Sequence, residues 1–182
     1  VNIFLSSTFE DMEFARNAIH SETLPDFQEH CILNDLVCNL IDLRWGISLS
    51  DEKERSVISR CLDDIGHCAA SPLFFVGIIG ERYGWIPSHS DFGNHKTCHQ
   101  SWVKLSVKNK WSVTELECRY AESLKENAKT IYFIYDGPET NYDDKLIKFK
   151  KYLNLNGSLV IHYKEQSEIP SKLLNILKTW LF

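Results

Sequence analysis

Leu73-Phe-Phe-Val-Gly-Ile-Ile79 is the most apolar run of this 182-residue chain, bounded by Ser71-Pro72 on one side and Gly80 on the other. Seven residues without polar alternation read as a strand buried on both faces, the central strand of a parallel sheet. Outward from it, strands and helices alternate. Upstream, Val57, Ile58, Cys61, Leu62 and Ile65 recur at helical spacing behind a polar opening, Ser48 to Glu54. Val37 to Leu43 and Val1 to Ser6 read as two further strands. Between these two lies a helix reaching about Gln28, with the capping-box spacing Ser7-Thr-Phe-Glu10 at its start. Downstream, Trp111 to Glu126 reads as a helix with Val113, Leu116, Tyr120 and Leu124 on one face. Thr130 to Tyr135 is a strand, Asp143 to Leu153 a helix and Ser158 to Tyr163 a fifth strand, and Pro170 opens a last helix. The order β-α-β-α-β-α-β-α-β-α predicts an α/β fold. Its form is a flavodoxin-like three-layer sandwich around a five-stranded parallel sheet of order 2-1-3-4-5. No period holds from Gly80 to Lys110, which reads as one long loop over residues 81–110.

Composition agrees with one globular domain over residues 1–182. The chain is 43% hydrophobic and 25% charged, enough apolar material for a core and unlike a disordered or coiled-coil chain. Its net charge of −5 makes it a poor general ligand for nucleic acid or an anionic membrane. The apolar run at residues 73–80 is far shorter than the roughly 20 residues of a membrane span. Charge is uneven: Pro87 to Trp111 holds Asp91 against four lysines and so carries +3, leaving −8 for the rest. The chain opens without Met and stops within an apolar stretch, Leu173 to Phe182, and reads as a domain of a larger protein. Six cysteines without a CxxC pair read as reduced, buried thiols of a cytoplasmic protein. His95-Lys-Thr-Cys98-His99 lacks a second ligand pair at zinc spacing, so no metal site is assigned.

In a doubly wound sheet, ligands bind beyond the carboxyl ends of the strands. Those ends carry Ser6-Ser7-Thr8, Asp42-Leu43-Arg44-Trp45-Gly46 and Gly80-Glu81-Arg82-Tyr83-Gly84-Trp85, with Trp111-Ser-Val-Thr-Glu115 opening a helix beside them. Rings that stack bases, arginine that grips phosphate and carboxylates that accept ribose hydroxyls are the chemistry of a nucleotide site. No GxGxxG, GxxxxGK[ST] or GxSxG occurs, which argues against a dinucleotide Rossmann site, a P-loop and a hydrolase elbow. Glu115 has two compatible readings. It completes a capping box with Ser112, flanked by Trp111 and Leu116 as a hydrophobic staple. It also stands where a carboxylate could stabilise an oxocarbenium-like centre in N-glycosidic cleavage.

Four blocks together resemble one family: Ile3-Phe-Leu-Ser-Ser-Thr-Phe-Glu-Asp-Met12 followed by Arg16, Ile41-Asp-Leu-Arg-Trp-Gly-Ile47, Gly80-Glu-Arg-Tyr-Gly-Trp85 and Ser112-Val-Thr-Glu-Leu-Glu117. It is an uncharacterised domain family that precedes NACHT-type, or STAND, NTPase modules in large WD-repeat and TPR proteins. Telomerase-associated and nephrocystin-type proteins carry relatives. That family in turn resembles TIR domains, with the strand-1 block similar to the first TIR box. The resemblance implies a TIR-like fold, self-association, contact with the NTPase core of a parent protein, and cleavage of NAD+ with no bound cofactor. On it, Trp111-Ser-Val-Thr-Glu115 matches the TIR pattern that ends in the catalytic glutamate. Ser6, Ser7, Thr8, Asp42, Arg44, Trp45, Tyr83 and Trp111 are then the expected substrate contacts. Ser7-Thr8 depart from the aromatic and basic pair usual after the first box. A non-catalytic self-association or scaffold module, with Trp45, Trp85 and Trp102 as anchors, is the alternative.

Overall fold

A computed structural model describes residues 1–42, 57–68, 72–88, 91, 100–138, 142–157 and 159–181. Five parallel strands, β1 (Asn2–Ser7), β2 (Asn39–Ile41), β3 (Leu73–Ile79), β4 (Ala128–Tyr135) and β5 (Leu159–Tyr163), form one sheet of order β2-β1-β3-β4-β5. The α/β class, the parallel sense and the order are those the alternation of apolar runs predicts. Every residue of β3 is buried, as a central strand covered on both faces must be.

The pleat divides the core in two. On one face, Phe4, Phe75, Ile79 and Tyr132 meet α3 (Val57–Cys68), α5 (Val113–Ser123) and α6 (Asp144–Asn156). On the other, Ile3, Leu5, Phe74, Val76, Ile78 and Phe133 meet α1 (Glu13–Ala18), α2 (Leu24–Ile32) and α7 (Ile169–Leu181). Successive residues of a strand point to opposite faces. Ser6 therefore faces α5 while Ser7 faces α1, a division on which the candidate site rests.

Three elements depart from the sequence reading. β1 continues through Ser7, so the Ser7–Glu10 capping box does not form, and α1 starts at Glu13 with no side-chain cap at Met12. The helix then passes through a π-helical turn, Ile19–Thr23, into α2, with Pro25 in the first turn of the new segment. A widened turn just ahead of a proline accommodates its missing N–H and its ring. Third, the stretch expected as a single loop over residues 81–110 contains α4 (Gln100–Asn109). Its apolar face is Trp102, Val103 and Val107, with buried Ser106 between them, and Trp102 packs edge-on against Tyr120 with centroids 5.6 Å apart. That helical spacing is masked in the sequence by the lysines and serines around it. Among the described residues no helix is long and apolar enough to cross a membrane, and no group of three potential ligands could hold a metal. His95, Cys98 and His99 lie outside the described residues.

Gly77 sits in β3 opposite Ser6 on one side and Tyr132 on the other. A Cβ there would lie 2.7 Å from Tyr132 Cδ1 and 3.4 Å from Cys118 Sγ, both fully buried. The ring cannot swing aside, since its hydroxyl donates to the Cys118 carbonyl at 3.3 Å. Gly77→Ala is expected to destabilise the domain by about 1–3 kcal/mol in a urea melt, the usual cost of overpacking.

Candidate functional site

The carboxyl ends of β1 and β3, the turn after β1 and the first turns of α5 enclose a cavity of about 760 Å³. This is the switch point of the sheet, where the strand order reverses between β1 and β3. Val113, Thr114 and Glu117 of α5 line it, at the i, i+1, i+4 spacing of one helix face.

Of the acids that line the cavity, Glu10, Glu81 and Asp143 are exposed and Glu117 is buried. The Glu117 Oε2 accepts a hydrogen bond from Ser6 Oγ at 2.5 Å. Burial pushes its carboxyl above the ordinary 4.5, opposed by hydrogen bonds from Ser6 and Cys61 and by the charge of Arg16. The Cys61 thiol is pushed well above its ordinary range by burial and by Glu117, which keeps it protonated and unreactive. A buried carboxyl whose proton affinity is raised, at a cavity, marks a candidate functional group.

Glu115, the acid singled out by the sequence, is not among the residues lining the cavity. It is also buried, but its carboxylate is held on both oxygens. The Tyr83 phenol donates to Oε2, and Arg119 donates to Oε1 from Nε at 2.8 Å, with a second guanidinium nitrogen at 2.7 Å. The Arg119 guanidinium lies between Trp111 and Tyr152, 4.5 and 3.6 Å from the ring centroids. Ser112 Oγ accepts the Glu115 N–H at 3.2 Å, which is half of the expected capping box. The other half is replaced: the Ser112 N–H donates to the Tyr83 hydroxyl at 3.3 Å. Burial and the hydrogen bond to Glu115 push the Tyr83 phenol up, so it remains a donor. Glu115 thus positions Tyr83, whose chain neighbours Gly84 and Trp85 form a cavity wall. Trp111 belongs to this clamp and does not line the cavity.

The other nominated residues divide similarly. Ser6, Ser7, Thr8 and Tyr83 line the cavity. Ser7 Oγ accepts from Arg16 at 2.6 Å. Arg16 is only 1% exposed and also bonds the Leu5 carbonyl at 3.3 Å and the Asp42 carboxylate. The second oxygen of Asp42 meets His20 Nε2 at 2.9 Å. Asp42 is therefore the counter-ion of a buried guanidinium, and it does not line the cavity. Arg44 and Trp45 lie outside the described residues. The sequence reading passed over Glu117, Arg16 and Cys61 as site residues, and it placed Arg82 on the rim without giving it a role. A signal for Glu117 was present: its position, one turn after Val113, puts it on the face toward an outward-pleated Ser6.

A family model described as "Domain of unknown function (DUF4062)" matches residues 2–178. The chain belongs to this family. A TPR repeat-containing protein of Dictyostelium discoideum is 27% identical over 146 residues, 76% of this chain and 8% of that protein. Telomerase protein component 1 of Mus musculus is 33% identical over 117 residues, covering 64% of this chain and 4% of the relative. NACHT and WD repeat domain-containing protein 2 of Homo sapiens is 33% identical over 91 residues, covering 47% and 5%. The chain thus spans less than a tenth of these relatives. No solved structure matches it.

The raised carboxyl of Glu117 has a consequence for stability. The fold favours the protonated form, so its contribution is complete below pH 4.5 and is lost as pH rises through the raised value. Glu117→Gln removes that loss. Its melting temperature relative to the parent is expected to be higher at pH 8 than at pH 5, read by differential scanning calorimetry.

Proposed function

We propose that this DUF4062 domain binds NAD+ in the β1–β3 cavity and breaks the bond between nicotinamide and ribose. The observation that carries the reading is a buried acid, oriented by Ser6, in a nucleotide-sized cavity at the switch point of the sheet. The resemblance of the four sequence blocks to TIR-type domains supports it, with the acid moved from Glu115 to Glu117. As the C1′–N bond breaks, its electron pair leaves with the nicotinamide nitrogen, which becomes neutral, and positive charge develops on the ribosyl ring. The ionised Glu117 carboxylate stabilises that cation, and Ser6 keeps the carboxylate aimed into the cavity. Water adding to C1′ and losing a proton gives ADP-ribose; attack by an internal nucleophile gives a cyclised product. Glu115 acts at a distance, through Tyr83. The names of the relatives support a setting within large NACHT, WD-repeat or TPR proteins; in our reading the domain works in the cytoplasm, beside an NTPase core and activated by self-association.

A second reading, self-association without turnover, is favoured by one observation. Ile32, Leu33 and Val37, around the connection from α2 to β2, are each 70% exposed or more. Clustered exposed aliphatic side chains mark contact surfaces. Of the tryptophan anchors first considered, Trp85 is 56% exposed, whereas Trp102 packs against Tyr120.

The deciding assay follows NAD+ consumption by the domain, alone and fused to an oligomerising scaffold, from pH 5 to 9. Glu117→Gln is expected to lower turnover by about 100-fold or more, in line with loss of an electrostatic catalytic group. Glu115→Gln is expected to retain measurable turnover with a lowered melting temperature. Parent turnover should rise with pH through the raised Glu117 value and then level off. Intact NAD+ at every clustered concentration, or full activity in Glu117→Gln, would overturn the enzymatic reading.

A further inference from the structure

Two arginines line the cavity, and their situations differ. Arg16 is engaged inside the scaffold with Asp42, Ser7 and Leu5. Arg82, just beyond the carboxyl end of β3, is 56% exposed, and its guanidinium is paired with the Glu10 carboxylate, which is 77% exposed. Glu10 belongs to the turn after β1 and lines the cavity as well. This ion pair therefore ties the turn after β1 to the segment after β3 at the exposed rim of the cavity. Exposed pairs are weak and exchange readily with a competing anion. In the same turn, the Thr8 hydroxyl is buried with no hydrogen-bond partner among the described residues, and Thr8 too lines the cavity. A buried hydroxyl left unpaired is costly unless a ligand satisfies it.

Resting on the NAD+ reading, we infer that Arg82 and Thr8 form the seat for the pyrophosphate, and that Glu10 occupies the guanidinium until the nucleotide displaces it. A guanidinium matches phosphate oxygens bidentately and binds them more strongly than a single exposed carboxylate. Glu10 is then a built-in competitor that weakens binding, and phosphate-bearing ligands are selected over phosphate-free ones.

The test measures binding by titration calorimetry. ADP-ribose, which carries the pyrophosphate and has no nicotinamide bond to break, is compared with nicotinamide riboside, which has no phosphate. Arg82→Gln is expected to weaken ADP-ribose about tenfold and to leave the riboside unchanged. Glu10→Gln is expected to tighten ADP-ribose roughly two- to fivefold, a gain that disappears in the double variant. Circular dichroism verifies that these surface variants fold. Equal affinity of the parent and Arg82→Gln for ADP-ribose would overturn the seat, as would weaker binding by Glu10→Gln or equal weakening of both ligands. In those cases the NAD+ reading survives, because the parent still binds. Failure of the parent to bind either NAD+ or ADP-ribose would overturn both.

Discussion

A guanidinium buried at the carboxyl end of β1 organises this domain. Taking Arg16 out of water costs several kcal/mol, and that cost is met only where a counter-ion and acceptors converge. Asp42, the Leu5 carbonyl and Ser7 supply them. Arg16 belongs to α1, Leu5 and Ser7 to the end of β1, and Asp42 lies just beyond β2, so satisfying one charge fixes how three elements meet at the sheet edge. The Phe9 ring, 5.3 Å from the guanidinium carbon, closes the site toward the turn after β1. With Ser7 committed to this scaffold, the pleat sends Ser6 the other way, toward α5 and the cavity. Both serines line the cavity, Ser7 held by Arg16 and Ser6 by Glu117.

The same economy recurs on α5. Glu115 and Glu117 are two residues apart, which places them about 200° apart around a helix. One turns toward Tyr83, Arg119 and α6, where its charge is balanced and both oxygens are held. The other turns toward β1 and the cavity, where burial favours its neutral form. Two carboxylates of one helix acquire two environments, one in the clamp that holds Tyr83 and one buried against Ser6 at the cavity. Arg119, stacked between Trp111 and Tyr152, makes the clamp rigid. It explains why a tryptophan precedes the helix without touching the cavity.

Much of the fold is legible in the sequence because the apolar runs are short, clean and separated by helical periods. The run Leu73–Ile79 alone identifies the central strand, and alternation around it fixes the parallel order. The failures have local causes. Ser7-Thr-Phe-Glu10 has the spacing of a cap, but spacing carries no information about the buried arginine that claims Ser7. The face formed by Trp102, Val103 and Val107 is diluted by polar neighbours, so α4 reads as loop. The candidate site was legible to the level of its rim: Ser6, Ser7, Thr8 and Tyr83 all line the cavity. Which acid faces it was not legible, because the choice between positions 115 and 117 depends on the rotation of α5 against the sheet, set by packing of Leu116, Cys118 and Ala121.

The most direct measurement is a crystal structure of the domain with a carbocyclic NAD+ analogue whose nicotinamide bond cannot be cleaved. The account predicts the ribose-like ring beside Glu117 and Ser6, with Glu115 still held by Tyr83 and Arg119. An analogue seated against Glu115, with the Tyr83 clamp opened and Glu117 untouched, would contradict it.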